Sequence, residues 1–198
     1  MELLGKAKEA LRDKTRDDLC SAFQSIGIQT QSSERGRLEE EIKRAESLGL
    51  IDVFESPISW INVCRERGHG GTYYHFILGV PDTRITSNSS KLKVKSFYQR
   101  TFPILGSVVE TRWKGNDMSS GLIERLNGDL SLAYGNALAD NIAIRTNYKH
   151  SCWLIYVYNE LYILKKNPAD WGSLWQCWQT IAQHLLDTRI VSHGPVIR

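Results

Sequence analysis

NPADWGSLWQCWQTIAQHLL, residues 167–186, is the stretch that decides the fold class. Asn167 suits a helix N-cap, Pro168 suits the first helical position, and Asp170 places a negative charge in the first turn. The apolar residues then recur at steps of three or four, which predicts an amphipathic helix with one wide apolar face. They are Trp171, Leu174, Trp178, Ile181 and Leu185, flanked by Trp175, Ala182 and Leu186. Such a face must be buried against another element.

The segments that precede this helix have the two-residue period of β-strands. They are ISWINVCR (58–65), TYYHFILGV (72–80), KLKVKSFYQ (91–99), SVVETRWKG (107–115), NIAIRTN (141–147) and CWLIYVYN (152–159). The first two flank a glycine-rich stretch and are therefore predicted to form a hairpin. In the third, lysines alternate with Leu92 and Val94, and Phe97 is expected to continue the buried side.

The first fifty residues are predicted to be helical. Their apolar residues recur at helical steps in three groups, which are Leu4, Ala7 and Leu11, then Leu19, Phe23 and Ile26, then Leu38, Ile42, Ala45 and Leu48. Gly27 ends the second group, and Gly49 is placed as the residue that follows a helix C-terminus.

Together these patterns predict an α+β fold. It has an N-terminal helical segment, a predominantly antiparallel β-sheet in the middle and C-terminal half, and an amphipathic C-terminal helix that closes it. The chain of 198 residues has the length of one domain. We expect a single domain over residues 1–198, with a helical lobe at 1–50 and a sheet-and-helix core at 51–198.

Composition indicates a globular chain, with disorder confined to ends and loops, but does not identify a partner. Hydrophobic residues make up 41% and charged residues 24% of the chain, as in ordinary globular proteins. The formal net charge of +3 is a mild surplus, whereas a dedicated nucleic-acid binder concentrates its charge. Charge alone therefore decides nothing about ligands.

The cysteine spacing and the lack of long apolar runs predict a cytoplasmic location. The four cysteines lie far apart without a CxxC pair, which favours reduced thiols. The first residues lack the apolar core of a signal peptide. No window approaches the ~20 consecutive apolar residues that cross a bilayer as a helix, so we expect no membrane association.

The loop Arg65-Glu66-Arg67-Gly68-His69-Gly70-Gly71 is the best candidate for a ligand site. Glycines let backbone amides approach an anion, and Arg65, Arg67 and His69 could supply positive charge. The ligand-binding candidates are therefore Arg65, Arg67, His69 and Gly70. The loop lacks the P-loop and dinucleotide-binding patterns, and a flexible hairpin tip explains it equally without a ligand.

Metal and catalytic motifs are not evident in the sequence. Cys64, His69 and His75, with His150 and Cys152 further along, match no standard zinc spacing. Buried thiols and a half-buried imidazole explain them more simply, so we expect no metal and no cofactor. No GxSxG elbow occurs, but triads assemble in space and leave few local signals. Whether the protein is an enzyme stays undecided.

Trp171, Trp175 and Trp178 allow two interpretations. The simpler is that the C-terminal helix packs its tryptophans onto the sheet. If these side chains are partly exposed, they form an interface through which the chain associates with a second copy.

Basic residues on neighbouring strands suggest a nucleic-acid surface, which we rank as the least favoured. They are Lys91, Lys93 and Lys95 with Arg84, Arg100, Arg112 and Lys114, interleaved with Tyr98 and Trp113. Such a surface could bind single-stranded nucleic acid by stacking and phosphate contacts. Glu110 and Asp117 dilute the charge, and lysines also deter edge-to-edge strand pairing.

We therefore expect a non-enzymatic intracellular module that binds a ligand or a protein, or that assembles with itself. An enzyme acting on a small anionic substrate at the Arg65 to Gly71 loop is the main alternative. A weak binder of single-stranded nucleic acid is the third.

Overall fold

The computed structural model describes residues 14–33, 45–54, 56–69, 71–87, 89, 91–100, 108–116, 120–132, 141–159 and 168–190. Three helices lie in this part of the chain: α1 (Thr15–Ser25), α2 (Leu122–Gly128) and α3 (Pro168–Leu186). The same described ranges contain eight strands, which are β1 (Thr30–Ser32), β2 (Ala45–Val53), β3 (Trp60–Gly68), β4 (Gly71–Pro81), β5 (Lys93–Arg100), β6 (Val108–Asn116), β7 (Asn141–Asn147) and β8 (Cys152–Asn159).

The strands form one antiparallel sheet in the order β1-β2-β3-β4-β8-β7-β5-β6. The predicted hairpin is confirmed, because β3 pairs with β4 along the whole length of β3, from Trp60↔Gly79 to Gly68↔Gly71. The predicted α+β class, with an N-terminal helix and a closing C-terminal helix, is confirmed as well.

The described helices all pack on one face of the sheet. The main core joins Leu19 of α1, Leu122 of α2 and Trp178 of α3 to strand residues such as Phe76 and Ile155. A second, smaller apolar cluster on the opposite face contains only strand residues, among the part of the chain that the structure describes. We call this opposite face the helix-free face. No helix in the described ranges is long and apolar enough to cross a membrane.

The tryptophans of α3 are buried within the chain. Phe23 of α1 lies among them, with ring centroids 5.4 Å from Trp171, 5.4 Å from Trp175 and 6.1 Å from Trp178. All three indoles belong to the main core. Packing onto the sheet and α1 therefore accounts for the wide apolar face of α3, and that face gives no reason to expect a subunit interface.

The predicted helical lobe over residues 1–50 is wrong for its described C-terminal part. Thr30–Ser32 and Ala45–Val53 are strands, so the helical assignment of Ala45 and Leu48 fails. The register shifts between Ser47 and Gly49, and Gly49 has φ +117°. A bulge of this kind inserts one residue into a strand. The apparent helical step arises because Ala45 packs on the helix-free face and Leu48 against the main core, so both faces of the strand carry apolar residues. The first group of apolar residues, together with Leu38 and Ile42, lies outside the described residues.

On the helix-free face, the indole of Trp60 lies against the backbone of Gly79. A Cβ atom added at Gly79 would be 1.9 Å from Cε2 of that ring. Gly79 is therefore required by this close approach. Around it the smaller cluster consists of Cys64, Ile77, Ala143, Cys152, Leu154 and Tyr156, with Ala45, Trp60 and Tyr158 at its margin.

Replacing Gly79 with alanine is expected to lower the free energy of unfolding by about 1–2 kcal/mol, because the indole must swing away from the sheet. Chemical denaturation followed by circular dichroism measures the change. In a Trp60→Ala background the same substitution should cost almost nothing, and the double-mutant cycle isolates the contact. An equal cost in both backgrounds would contradict the contact between Trp60 and Gly79.

Candidate functional site

The predicted anion loop is a tight hairpin whose first arginine already has a carboxylate partner. Arg65 Nη2 lies 2.7 Å from Glu46 Oε2 on β2. Arg67 and His69 are exposed, and Gly70 is outside the described residues. Since Arg65 is neutralised by Glu46, the loop offers an anion less charge than its sequence suggested. It remains a prediction as a ligand site.

A histidine–carboxylate pair lies on the helix-free face. His75 Nε2 and Glu66 Oε2 are 3.0 Å apart, and the ring of Tyr158 meets the imidazole edge to face at 5.5 Å. Burial raises the pKa of the neighbouring Cys64 thiol to about 12, so the thiol stays protonated at neutral pH. That state gives a poor nucleophile, and a thiol inert through burial is what the sequence indicated.

A cluster between the end of α2 and α3 has the residue types of a catalytic triad, but in a different arrangement. It consists of Asp129, Ser131 and His184. His184 Nε2 lies 2.8 Å from Asp129 Oδ2, and Ser131 Oγ donates to Asp129 Oδ1 at 2.6 Å. Hydrogen bonds from Ser131 and His184 hold the pKa of Asp129 below its usual range. Because the serine contacts the carboxylate and not the imidazole, no base activates it. The group ties the segment after α2 to α3.

No group of three or more His, Cys, Asp or Glu side chains that could hold a metal ion occurs among the described residues. Cys64 and His75 are directly opposite each other on β3 and β4. His69 lies in the turn beyond these strands. The sequence candidates for a metal thus supply too few converging ligands in the described part of the chain.

A basic surface lies at the β5–β6 side of the helix-free face. Along β5, Lys93, Lys95 and Phe97 are exposed, whereas Val94 and Ser96 are buried. The expectation that Phe97 continues the buried side is wrong. Ser96 takes that position because its Oγ donates to Ile142 O and accepts from Ile142 N, at 3.3 and 2.9 Å.

Register brings further cations beside these lysines. Lys95 is directly opposite Lys114 of β6, and Lys93 is directly opposite Arg145 of β7. Phe97 is directly opposite Arg112 of β6. We call the set Lys93, Lys95, Arg112, Lys114 and Arg145 the basic stripe. Like charges directly opposite each other in a sheet are destabilising, so the arrangement opposes folding unless an anion is present.

The three lysines and Arg145 are the members of the basic stripe that have no carboxylate partner among the described residues. Arg145 lies over the ring of Tyr156, with Cζ 5.0 Å from the centroid, and its buried Nε has no hydrogen-bond partner among the described atoms. This stacking fixes the guanidinium in place. Burial raises the pKa of Tyr158, and the charge of Arg145 partly opposes that rise.

An exposed aromatic ring completes the surface. Phe97 is 47% exposed, and Lys114 Nζ lies 6.0 Å from its ring centroid. Trp113, which the sequence placed on a basic aromatic face, is buried in the main core. Arg84 is also absent from the stripe, because it binds Asp82 and the end of α3. The side chains of Tyr98, Arg100 and Glu110, with all of Asp117, lie outside what the structure describes.

Sequence reasoning missed Arg145 and Phe97 as members of this surface. Arg145 belongs to a strand that is distant in sequence and becomes a neighbour of Lys93 only through the β5–β7 register. The strict alternation of side chains along β5 could have identified Phe97, had Ser96 not looked too polar to be buried.

Comparison of the chain with protein-family models, with curated proteins and with solved structures finds no match. Function must therefore be argued from the chemistry of the site.

Proposed function

We propose that the protein is a binding module and that the basic stripe on its helix-free face binds an anionic partner. The observation that carries this proposal is the pair of directly opposed cations, Lys95 with Lys114 and Lys93 with Arg145. Neither pair is neutralised by a described carboxylate.

Electrostatics gives the reason. Each opposed pair raises the energy of the free protein, and an anion placed between the two charges removes that repulsion and adds attraction. Exposed charges are also well placed to attract a partner by long-range steering.

The other two candidates have weaker support. An enzyme at the Arg65 to Gly71 loop would use a guanidinium that Glu46 already binds at 2.7 Å. Self-association through α3 would need tryptophans that are instead buried in the main core.

Retention on immobilised heparin tests the proposal. The double variant Lys95→Gln/Lys114→Gln is expected to elute at clearly lower salt than the wild type, because two contacts with the polyanion are lost. Its melting temperature at low salt should be equal to or slightly above that of the wild type, because the repulsion between the two ammonium groups is gone.

The matched control is Lys14→Gln/Arg67→Gln, which changes the net charge equally at exposed residues away from the stripe. It should elute with the wild type. If both double variants eluted at equally reduced salt, only total charge would matter, and the proposed binding site would be overturned. A larger loss in the control would move the site toward the hairpin loop.

A further inference from the structure

We propose that the anionic partner of the basic stripe is single-stranded nucleic acid, with one base stacked on Phe97. This inference rests on the proposed function and adds the chemical class of the ligand. What carries it is the exposed ring placed among cations on a face that no described helix covers.

Phe97 has the position that base stacking requires. Its ring is 47% exposed, with Lys114 Nζ at 6.0 Å and Arg112 directly opposite on β6. Proteins that bind single strands combine cations along the phosphate backbone with aromatic rings under the bases. An anionic partner without rings, such as polyphosphate, would use the cations and leave Phe97 unused.

The shape of the surface also favours a single strand. Side chains on one face of β5 repeat about every 6.8 Å, so Lys93, Lys95 and Phe97 extend over roughly 14 Å. The strands β7, β5 and β6 add a width of roughly 10 Å. A flat patch of this size can lie along a few splayed nucleotides. The grooves of duplex DNA instead admit a protruding helix or β-ribbon.

Other anionic partners fit less well. A membrane surface would be recognised by a polybasic segment together with a larger apolar insertion, and the stripe presents a single phenylalanine. An acidic peptide would gain from the cations but has no general need for an exposed aromatic ring among them. Single-stranded nucleic acid is the partner that uses both features.

Fluorescence anisotropy with the full chain tests the inference. The probes are labelled single strands of about ten nucleotides, one oligothymidylate and one oligouridylate, with a duplex of the same length and an abasic strand. We expect both single strands to bind more tightly than the duplex and the abasic strand. The two sugars distinguish DNA from RNA, and binding of either supports the proposal.

Two variants separate stacking from charge. Phe97→Ala should weaken single-strand binding by at least about 5-fold and leave the slope of log affinity against log salt unchanged, because no charge is lost. Lys95→Gln/Lys114→Gln should make that slope less steep by about 1.4, since each phosphate contact on a single strand contributes about 0.7. Phe97→Trp should retain binding.

Phe54→Ala is the matched control. Phe54 is 48% exposed and follows β2, which lies near the opposite edge of the sheet from β5 and β6. This variant should therefore bind like the wild type. Circular dichroism checks that each variant is folded. Equal binding of the normal and abasic strands, or no effect of Phe97→Ala, would overturn the inference.

The outcomes also distinguish this inference from the proposed function. Binding to heparin or to vesicles rich in phosphatidylserine, without binding to single strands, overturns the nucleic-acid inference and leaves the anion-binding function intact. Absence of binding to every polyanion overturns both.

Discussion

Replacing Trp178 with alanine is expected to lower the free energy of unfolding by about 3–5 kcal/mol, the usual cost of removing a large aromatic side chain from a core. Its side chain is 0% exposed. The indole contacts rings from two other elements, with centroid distances of 6.1 Å to Phe23 and 6.4 Å to Phe76. Its loss therefore opens a cavity where α1, α3 and the sheet meet.

Urea denaturation measures this loss, and two variants serve as controls. Trp178→Phe should cost much less, because it keeps a ring and removes the indole Nε1, which is buried without a hydrogen-bond partner in the described structure. Gln176→Ala, at an exposed position of the same helix, should change stability by less than about 0.5 kcal/mol.

Light scattering on the same variants separates the two roles that the sequence allowed for the tryptophans. A core role predicts that Trp178→Ala is destabilised without any change in molar mass. If Trp178→Ala kept its stability but dissociated an oligomer, the burial of this side chain within one chain would be contradicted.

Elements with a long, unbroken period were predictable from sequence. The helix α3 repeats its apolar residues over five turns with a proline at its first position, and β3, β4, β7 and β8 alternate or are uniformly apolar. The helical and alternating patterns each satisfy one period only, and the uniformly apolar runs are short and rich in β-branched and aromatic residues, as buried strands are. Local sequence was therefore sufficient.

The strand β2 was not predictable in this way, because apolar residues lie on both of its faces and imitate a helical step. Ala45 and Leu48 are three residues apart and lie on opposite faces of the strand, Ala45 beside the smaller cluster and Leu48 beside the main core. Gly49 was interpreted as a helix-ending residue for its tolerance of positive φ, and the bulge uses the same property. Nothing in the local sequence distinguishes these two uses.

The candidate site depends on information that the sequence does not contain in local form. The lysines of β5 were identified, but their meaning depends on which side chains lie opposite them. Lys114 and Arg145 come from two different strands on either side of β5. An acidic residue in place of Lys114 or Arg145 would have formed an ion pair with a lysine of β5, and the face would then be an ordinary solvated one. Strand order and register therefore decide whether the lysines indicate a binding surface.

Asp82 and Arg84 hold the C-terminus of α3 against the strands. Arg84 binds both carboxylate oxygens of Asp82, at 2.8 and 2.7 Å, and also donates to the carbonyl oxygens of Leu186 and Thr188, at 2.6 and 3.2 Å. Trp153 Nε1 donates to Asp82 Oδ2 at 3.0 Å. A guanidinium at a helix C-terminus satisfies terminal carbonyls and complements the helix dipole.

Asp82→Asn is expected to lower the free energy of unfolding by about 2–3 kcal/mol at neutral pH, because the charge-assisted hydrogen bonds are lost and an amide N–H₂ faces donors. Burial raises the pKa of Asp82, but hydrogen bonds from Arg84 and Trp153 and the charge of Arg84 outweigh it and keep the pKa below its usual range. The ionised carboxylate therefore stabilises the folded state.

The pH dependence follows from the direction of that shift. The contribution is fully present above the unfolded-state pKa of about 3.9, and it is lost as pH falls through the lower folded-state pKa. The stability difference between wild type and Asp82→Asn should thus be constant near neutral pH and shrink below about pH 4, as urea denaturation at each pH would show.

Asp129→Asn is the control, because Asp129 also binds α3 through His184 at 2.8 Å but is more exposed, at 25% against 4% for Asp82. Asp129→Asn should lower the free energy of unfolding by roughly 1 kcal/mol or less, since solvent partly screens a pair that is not fully buried. If the two variants lost equal free energy of unfolding, the burial of Asp82 would not strengthen its contacts. If the stability difference between wild type and Asp82→Asn instead grew at low pH, the pKa of Asp82 would be raised in the folded state. The contacts of Asp82 with Arg84 and Trp153 would then not be a source of stability at neutral pH.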